Sequence, residues 1–235
     1  FTEALCDLGA KVYIASRRAE LCEDVAERLR GRGMDVVAMG CDVTDESQVD
    51  ALVDRVMNDN GRLDIAVCNA GGSFTTSYPP DGDVDEFRRT LDVNLTGTFI
   101  TSQSAGRAMI PAKRGSIITL GSIGATLAMD TRIYNSEFKR SGPPYIAAKG
   151  GVLNLTRAMA SEFGEYSITV NCISPGQIPP NRFKRGSGRN IPKDDPATAH
   201  RAFSRPKGNR RITRLRCRSM DHRSRISHRW RLVDL

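Results

Sequence analysis

A tyrosine and a lysine four residues apart are the pair in this chain best suited to chemistry. Tyr145 and Lys149 stand at the start of an apolar run that ends near Phe163, and its spacing predicts a helix. Residues i and i+4 share one face of a helix, so the phenol and the ammonium should lie together. A neighbouring cation favours a phenolate, which lets a tyrosine exchange a proton with an alcohol or carbonyl oxygen near neutral pH. The same spacing is also common in solvated surface pairs that have no catalytic role.

The elements that must position this pair alternate between short apolar strands and amphipathic helices. This alternation predicts βαβ units and a parallel sheet covered by helices on both faces. Right-handed crossovers make such a sheet doubly wound. Thr44 is the predicted cap of the second helix. The predicted strands are 11–16, 35–39, 63–68, 115–120 and 167–173, and the predicted helices are 17–30, 44–60, 84–109 and 145–163.

Polar residues and glycines collect where the predicted strands end. In doubly wound sheets, ligands bind beyond the carboxyl ends of the strands, near the point where the strand order reverses. The collection therefore indicates a ligand site, although the glycines could equally serve only as turn formers. Its members are Ser16, Arg17, Asp42, Asn69, Ala70, Gly71, Ser122, Pro175 and Gly176.

Composition narrows the class of protein. The length of 235 residues fits one domain. No run of 18 or more apolar residues is present, so we expect no membrane span. The six cysteines are scattered without a C-x-x-C motif, which argues against a zinc module and a disulfide scaffold and favours a reducing cytoplasm. We therefore expect a cytoplasmic protein without a metal site.

The net charge of +8 belongs to one end of the chain. Residues 1–181 carry 18 basic and 23 acidic side chains, whereas residues 182–235 carry 17 basic and 4 acidic side chains. The second segment is also rich in Arg, Ser and His and shows no periodicity. We therefore predict a domain over 1–181 and an atypical basic tail over 182–235.

Over roughly residues 1–180 the chain resembles the short-chain dehydrogenase/reductases. The order and spacing of the matching motifs make the resemblance specific. It implies an α/β fold with a Rossmann-type doubly wound parallel sheet in a single domain. It also implies hydride transfer between a nicotinamide cofactor and a carbonyl or secondary alcohol. The motifs are Cys68-Asn-Ala-Gly71, Asn94 in Asp92-Val-Asn-Leu, Gly121-Ser122, Tyr145-x-x-x-Lys149 and Ser174-Pro-Gly176.

The resemblance implies a role for each matching residue. Tyr145 would be the general acid/base, and Lys149 would lower its pKa and hold the nicotinamide ribose. Ser122 would hydrogen-bond the substrate oxygen, and Asn94 would anchor a proton-relay water at a local distortion of its helix. The implied cofactor contacts are Ser16, Arg17, Asp42, Val43, Asn69, Ala70, Gly71, Tyr145, Lys149, Pro175, Gly176 and Ile178.

The end of the first strand bears on the choice of cofactor. A carboxylate at this position would bind the ribose 2′-hydroxyl of NAD, whereas an arginine accommodates the 2′-phosphate of NADP. Here Ser16 is followed by Arg17 and Arg18, with no acidic residue. We therefore expect NADP(H) to be favoured over NAD(H). The alternative is that both arginines simply begin a solvated helix.

The chain departs from the family pattern at two places before the tail. The family's opening strand and its glycine-rich turn would precede Phe1, so we expect a gap in the middle of the sheet. Unless upstream residues exist, we also expect poor stability and impaired cofactor binding. Ser122 and Tyr145 lie 23 positions apart, more than is usual in the family. The segment 129–144, with Tyr134, Phe138 and Arg140, would lie over the active-site mouth as a substrate-shaping lip or would be a surface excursion.

The tail 182–235 is the third departure, and three interpretations are open. It could be a disordered segment that binds a polyanion, or a zinc patch using Cys217, His222 and His228. It could also be translated in a shifted reading frame, because a one-base shift of a hypothetical coding sequence for 226–231 yields a Thr-Gly-Gly run that resembles the family's terminal region. We favour the shifted frame and expect no nucleic-acid partner.

Two classes of function follow. The first is an NADP(H)-dependent oxidoreductase of a small carbonyl or secondary alcohol, with sugar, 3-oxoacyl and steroid-like ketones all open as substrates. The second is a non-catalytic fragment, or a cofactor-sensing or interaction protein with a polyanion-binding tail. The resemblance also suggests a homo-tetramer or dimer that pairs through helices 84–109 and 145–163.

Overall fold

The computed structural model of the chain describes residues 1–128 and 140–176 and the backbone of 231–234. These residues belong to one compact unit, Phe1–Ile178 with Arg229–Leu235, and the second unit, Pro179–His228, lies outside the described residues. The α-helices are α1 (Thr2–Asp7), α2 (Ala19–Arg30), α3 (Glu46–Asn60), α4 (Val84–Leu91), α5 (Gly97–Met109) and α6 (Pro143–Gly164). The strands are β1 (Lys11–Ser16), β2 (Val36–Gly40), β3 (Ile65–Cys68), β4 (Gly115–Leu120), β5 (Ile168–Ile173) and β6 (Arg231–Asp234).

The sheet is parallel and doubly wound, as predicted. Its strand order is β2-β1-β6-β3-β4-β5. From β1 the chain moves outward to β2, crosses to β3, and then moves outward through β4 to β5. The carboxyl ends of β1 and β3 therefore flank the point where the strand order reverses, which is the position where open α/β sheets bind ligands.

The prediction of a gap in the middle of the sheet is wrong, because β6 lies between β1 and β3. Arg231–Asp234 pairs in parallel with β1, with Lys11 opposite Arg231, and with β3, with Ile65 opposite Leu232. Two neighbouring strands with unpaired N–H and C=O groups favour any extended segment that can pair with both. The average composition of the tail concealed this short Leu-Val segment. The predicted domain boundary at 181 remains a prediction.

The core has two parts, one on each face of the sheet. Side chains alternate between the faces of a strand, so Tyr13 and Ala15 join one cluster while Val12 and Ile14 join the other. The first cluster includes residues of α3, α5 and α6, and the second includes residues of α2. This alternation with helices on both faces is the packing that the βαβ pattern predicted.

Helices α2 and α3 begin two residues later than predicted, and α6 begins two residues earlier. The cap of α3 is Asp45 rather than Thr44, since the Asp45 carboxylate accepts hydrogen bonds from the N–H groups of Ser47 and Gln48. The predicted helix 84–109 is interrupted by a π-helical segment, Asp92–Thr96, between α4 and α5. Among the described residues, no helix is long and apolar enough to cross a membrane. Predictions for Tyr134, Phe138, Ile178 and the possible zinc patch fall outside the described residues.

Candidate active site

A cleft of about 180 Å³ opens where β3 and β4 end, beside the start of α6. The two strands are neighbours in the sheet, so the loops that follow Cys68 and Leu120 meet at the same edge. The cleft contains two of the four predicted catalytic side chains and three of the predicted cofactor contacts that come from loops. It is lined by Asn69, Gly71, Gly72, Leu120, Gly121, Tyr145, Lys149 and Pro175.

Tyr145 and Lys149 lie on the same face of α6, as their spacing predicts. The helix is capped by Gly142, whose carbonyl oxygen accepts the N–H of Tyr145 at 3.1 Å. Lys149 Nζ lies 5.6 Å from the centre of the Tyr145 ring. The ammonium and the phenol ring therefore border the same cleft.

Lys149 is buried although it carries a charge. Its side chain is 4 % exposed, and its Nζ donates a hydrogen bond of 2.7 Å to the carbonyl oxygen of Leu120. Burial lowers the pKa of Lys149, and the nearby Cys172 thiol acts in the opposite direction. The carbonyl anchors the ammonium at the end of β4, and the helix fixes its distance from Tyr145.

Asn94 lies in the π-helical segment, where the resemblance implied a distortion. Its side-chain nitrogen donates to the carbonyl oxygens of Gly72 and Thr90, both at 2.8 Å. Its side-chain oxygen accepts the N–H of Gly72 at 3.1 Å. Its own carbonyl oxygen accepts a hydrogen bond from Thr98 Oγ1 at 2.8 Å. π-helical turns are frequent at functional sites because they redirect a backbone carbonyl or a side chain.

Gly71 is required by a close approach rather than by a turn. A Cβ atom at this position would lie 2.5 Å from Asn94 Oδ1 and 3.4 Å from Lys149 Nζ. Any side chain would therefore displace the asparagine or fill the space beside the lysine. Gly71 thus acts as more than a turn former, because it brings the loop after β3 against two predicted catalytic residues.

Ser122 directly follows Gly121, which lines the cleft. It caps a single turn of 3₁₀ helix, Ile123–Ala125, and its Oγ accepts the N–H of Gly124 at 3.1 Å. This bond uses the hydroxyl as an acceptor, so its O–H can still act as a donor.

A second group of predicted contacts lies at the ends of β1 and β2. Ser16 Oγ accepts the N–H of Arg18 at 3.1 Å. The Asp42 carboxylate accepts from the N–H and Oγ1 of Thr44 at 3.0 and 2.8 Å. These hydrogen bonds, together with the nearby Arg17 charge, lower the pKa of Asp42. The exposed guanidinium of Arg17 therefore stands beside an ionised carboxylate.

The remaining predicted cofactor contacts differ in where they lie. Ala70 stands between two residues that line the cleft, and Gly176 follows the lining residue Pro175. Val43 is buried in the core, where a Cβ atom on Gly97 would lie 2.6 Å from its Cγ2. Its backbone is therefore the part of Val43 that could contact a ligand.

Comparison with known proteins decides the family. Residues 1–200 match the family described as enoyl-(acyl carrier protein) reductase. A crystal structure of a short-chain type dehydrogenase/reductase from Mycobacterium marinum has a TM-score of 0.66 and 36% identity, over 74% of this chain and 66% of that one. The chain belongs to the short-chain dehydrogenase/reductase family.

Curated relatives of this short-chain dehydrogenase/reductase include (+)-borneol dehydrogenase 1 of Salvia officinalis, 38% identical over 72% of this chain and 60% of the relative. Another is secoisolariciresinol dehydrogenase of Forsythia intermedia, 37% identical over 77% of this chain and 61% of the relative. A gluconate 5-dehydrogenase from Burkholderia cenocepacia, solved with NADP and tartrate, has a TM-score of 0.67 and 30% identity, over 76% of this chain and 66% of that one. The chain spans about 60% of the length of the curated relatives it matches.

Short-chain dehydrogenase/reductases use NAD(P), and the cleft fits the nicotinamide end of such a cofactor. Gly71 leaves open the space that a Cβ atom would fill beside Lys149, and Gly72 lines the same cleft. The exposed backbone and side chain of Asn69 add polar groups to the same side. Ser16, Arg17 and Asp42 provide a separate polar group at the strand ends where the other end of a dinucleotide would lie.

Sequence reasoning missed a set of contacts between the loop 73–83 and the entry to α6. Tyr78 donates its hydroxyl hydrogen to the carbonyl oxygen of Arg140 at 2.8 Å, and the Arg140 guanidinium lies 4.2 Å from the centre of the Tyr78 ring. These residues are 62 positions apart, and no periodicity or motif links them. Their types and positions alone carried no signal for the pairing.

Proposed function

We propose that the protein is an oxidoreductase that transfers a hydride between NADP(H) and a carbonyl or secondary alcohol. The observation that carries this proposal is the cleft that Tyr145 and Lys149 share. Gly71 borders this cleft, and a side chain at that position would fill the space beside Lys149. A solvated surface pair would need neither the burial of Lys149 nor the close approach of Gly71.

The chain's own residues would handle the proton and the substrate oxygen. A bound nicotinamide supplies or accepts the hydride. Tyr145 would pass a proton to the carbonyl oxygen during reduction, or remove it from the alcohol during oxidation. The Lys149 ammonium would favour the phenolate form, and the Ser122 O–H would stabilise negative charge that develops on the substrate oxygen.

Asn94 would act through its main chain rather than its side chain. Both N–H groups of the carboxamide and one lone pair of its oxygen are committed to the backbone of Gly72 and Thr90. The carbonyl oxygen of Asn94 keeps a second lone pair beyond its bond from Thr98. That lone pair would anchor the proton-relay water that leads from the Lys149 ammonium to solvent.

The preference for NADP(H) over NAD(H) rests on Arg17. Its guanidinium is exposed at the end of β1 and would pair with a 2′-phosphate. The presence of NADP in the Burkholderia cenocepacia structure supports the same choice. Asp42 opposes a phosphate at this end, and the Arg17 charge that helps to lower its pKa would be shared with the phosphate when it binds.

A second candidate function is a non-catalytic protein that binds a cofactor or a partner. It rests on the charge of residues 182–235, which carry 17 basic and 4 acidic side chains. In that case the tail after residue 181 would supply polyanion binding. For the oxidoreductase we further propose a cytoplasmic location and a homo-dimer or homo-tetramer formed through α4, α5 and α6.

The proposal is tested by titrating the 235-residue chain with NADPH and, separately, with NADH while following cofactor fluorescence. We expect saturable binding that is tighter for NADPH, with the difference reduced in Arg17→Ala. Tyr145→Phe should retain cofactor binding and lose turnover in a screen of secondary alcohols and ketones. Absence of binding for both cofactors would contradict the oxidoreductase, and binding without turnover of any substrate would favour the second candidate.

A further inference from the structure

The loop 73–83 is fixed to α4 on one side. Thr76 and Ser77 donate their N–H and hydroxyl groups to the Glu86 carboxylate, with the Thr76 N–H at 2.9 Å and the Ser77 Oγ at 3.1 Å. The Arg89 guanidinium lies 4.6 Å from the centre of the Phe74 ring. These contacts hold Phe74, Thr76 and Ser77 against α4.

The same loop is fixed to the entry of α6 on its other side. The Tyr78 hydroxyl and ring hold the backbone and guanidinium of Arg140, as described above. A Cβ atom on Gly142 would lie 2.6 Å from Thr75 Oγ1, so the two backbones approach closely there. We call the contact between Tyr78 and Arg140 the latch.

The entry to α6 leads directly to Tyr145. The Gly142 carbonyl oxygen accepts the N–H groups of Tyr145 and Ile146 at 3.1 and 3.3 Å. A shift of Arg140 or Gly142 would therefore move the first turn of the helix, which carries the phenol. Lys149 would move less, because it lies one turn further on and is anchored to Leu120.

We propose that Tyr78 is a positioning residue that holds Tyr145 at its place opposite the loop after β3. This inference rests on the proposed role of Tyr145 as the acid/base. The latch and the contact of Thr75 with Gly142 join the side of the cleft formed by Gly72 to the side formed by α6. Tyr78 itself lines no part of the cleft, so it acts through the geometry of the first turn.

The test compares Tyr78→Phe and Tyr78→Ala with Tyr166→Phe, a matched substitution just beyond the far end of α6. The phenylalanine keeps the ring under Arg140 and removes only the hydrogen bond, so we expect kcat to fall about 2- to 10-fold, the population change that one net hydrogen bond produces. Tyr78→Ala should lower kcat further, because it also removes the ring. The KM for the cofactor should not change, and the pH profile of kcat should shift in the Tyr78 variants alone.

Amide hydrogen exchange provides a readout that needs no turnover. We expect the N–H groups of Tyr145 and Ile146 to exchange faster in Tyr78→Phe, while the amides in the second half of α6 keep their rates. Unchanged exchange in the first turn would overturn the positioning role, and faster exchange along the whole helix would show a merely structural role instead. An inactive wild-type chain would contradict the proposed function, yet the exchange rates would still decide the inference.

Discussion

The carboxamide of Asn94 pairs with the backbone of Gly72 in both directions. Its nitrogen donates to the Gly72 carbonyl at 2.8 Å, and its oxygen accepts the Gly72 N–H at 3.1 Å. The pairing copies the hydrogen bonds of two neighbouring strands, but one partner is a side chain. It fixes the loop after β3 to the π-helical turn and so fixes one side of the cleft.

Asn94→Asp should destabilise the protein by about 1–3 kcal/mol, because an ionised carboxylate cannot donate to the Gly72 and Thr90 carbonyls. The free energy of unfolding in urea measures the effect. Asn171→Asp on the exposed face of β5 is the matched control and should change it much less. Equal effects of the two substitutions would contradict the role of the two-way pairing.

Gly71→Ala should displace Asn94 and narrow the space beside Lys149. Overpacking of this kind costs about 1–3 kcal/mol, and cofactor binding should weaken as well. Gly164→Ala is the control, since a Cβ atom there meets nothing within 4 Å. Thermal unfolding and a cofactor titration of both variants test the prediction, which fails if Gly71→Ala binds cofactor as tightly as the wild type does.

The sequence predicted the doubly wound sheet and the shared face of Tyr145 and Lys149, because periodicity and i, i+4 spacing are local properties. It could not predict that Tyr78 meets Arg140, since that contact depends on where two loops come together. It also did not predict that Arg231–Asp234 would enter the sheet, because strand pairing is decided by vacant neighbours rather than by the strand's own composition. The specific roles of the site residues remain predictions.

Glu86 should make stability depend on pH in the acid range. The hydrogen bonds from Thr76 and Ser77 lower its pKa to about 2 from the ordinary value of 4.5. A carboxylate whose pKa is lowered in the folded state contributes stability that is present above pH 4.5. This stability is lost as the pH falls towards 2. Glu86→Gln should therefore lose less stability than the wild type over this interval, as measured by urea unfolding at several pH values. Glu20→Gln, an exposed control, should follow the wild type.

Lys149 should limit activity at alkaline pH. Burial lowers its pKa below the ordinary value of 10.5, so the ammonium is lost at a lower pH than that of a solvated lysine. We expect kcat/KM to decline as pH rises through this lowered value. A pH profile measured alongside cofactor binding checks the prediction, and a decline that begins only above 10.5 would contradict it.

A proline at Val233 should disrupt the sheet, because it removes a backbone N–H from a strand that has a neighbour on each side. We expect a lower midpoint of thermal unfolding. Arg231→Pro is the control, since proline is tolerated at the first residue of a strand. Similar midpoints for both variants would argue that β6 contributes little to the sheet.

The place of β6 between β1 and β3 has a consequence for synthesis on the ribosome. The centre of the sheet joins residues near 11, 65 and 231, so two of its neighbouring pairs are far apart along the chain. Until residue 234 has emerged, β1 and β3 present open strand edges, which favour association with other chains. We therefore expect the nascent chain to depend on chaperones until β6 is available to pair with β1 and β3.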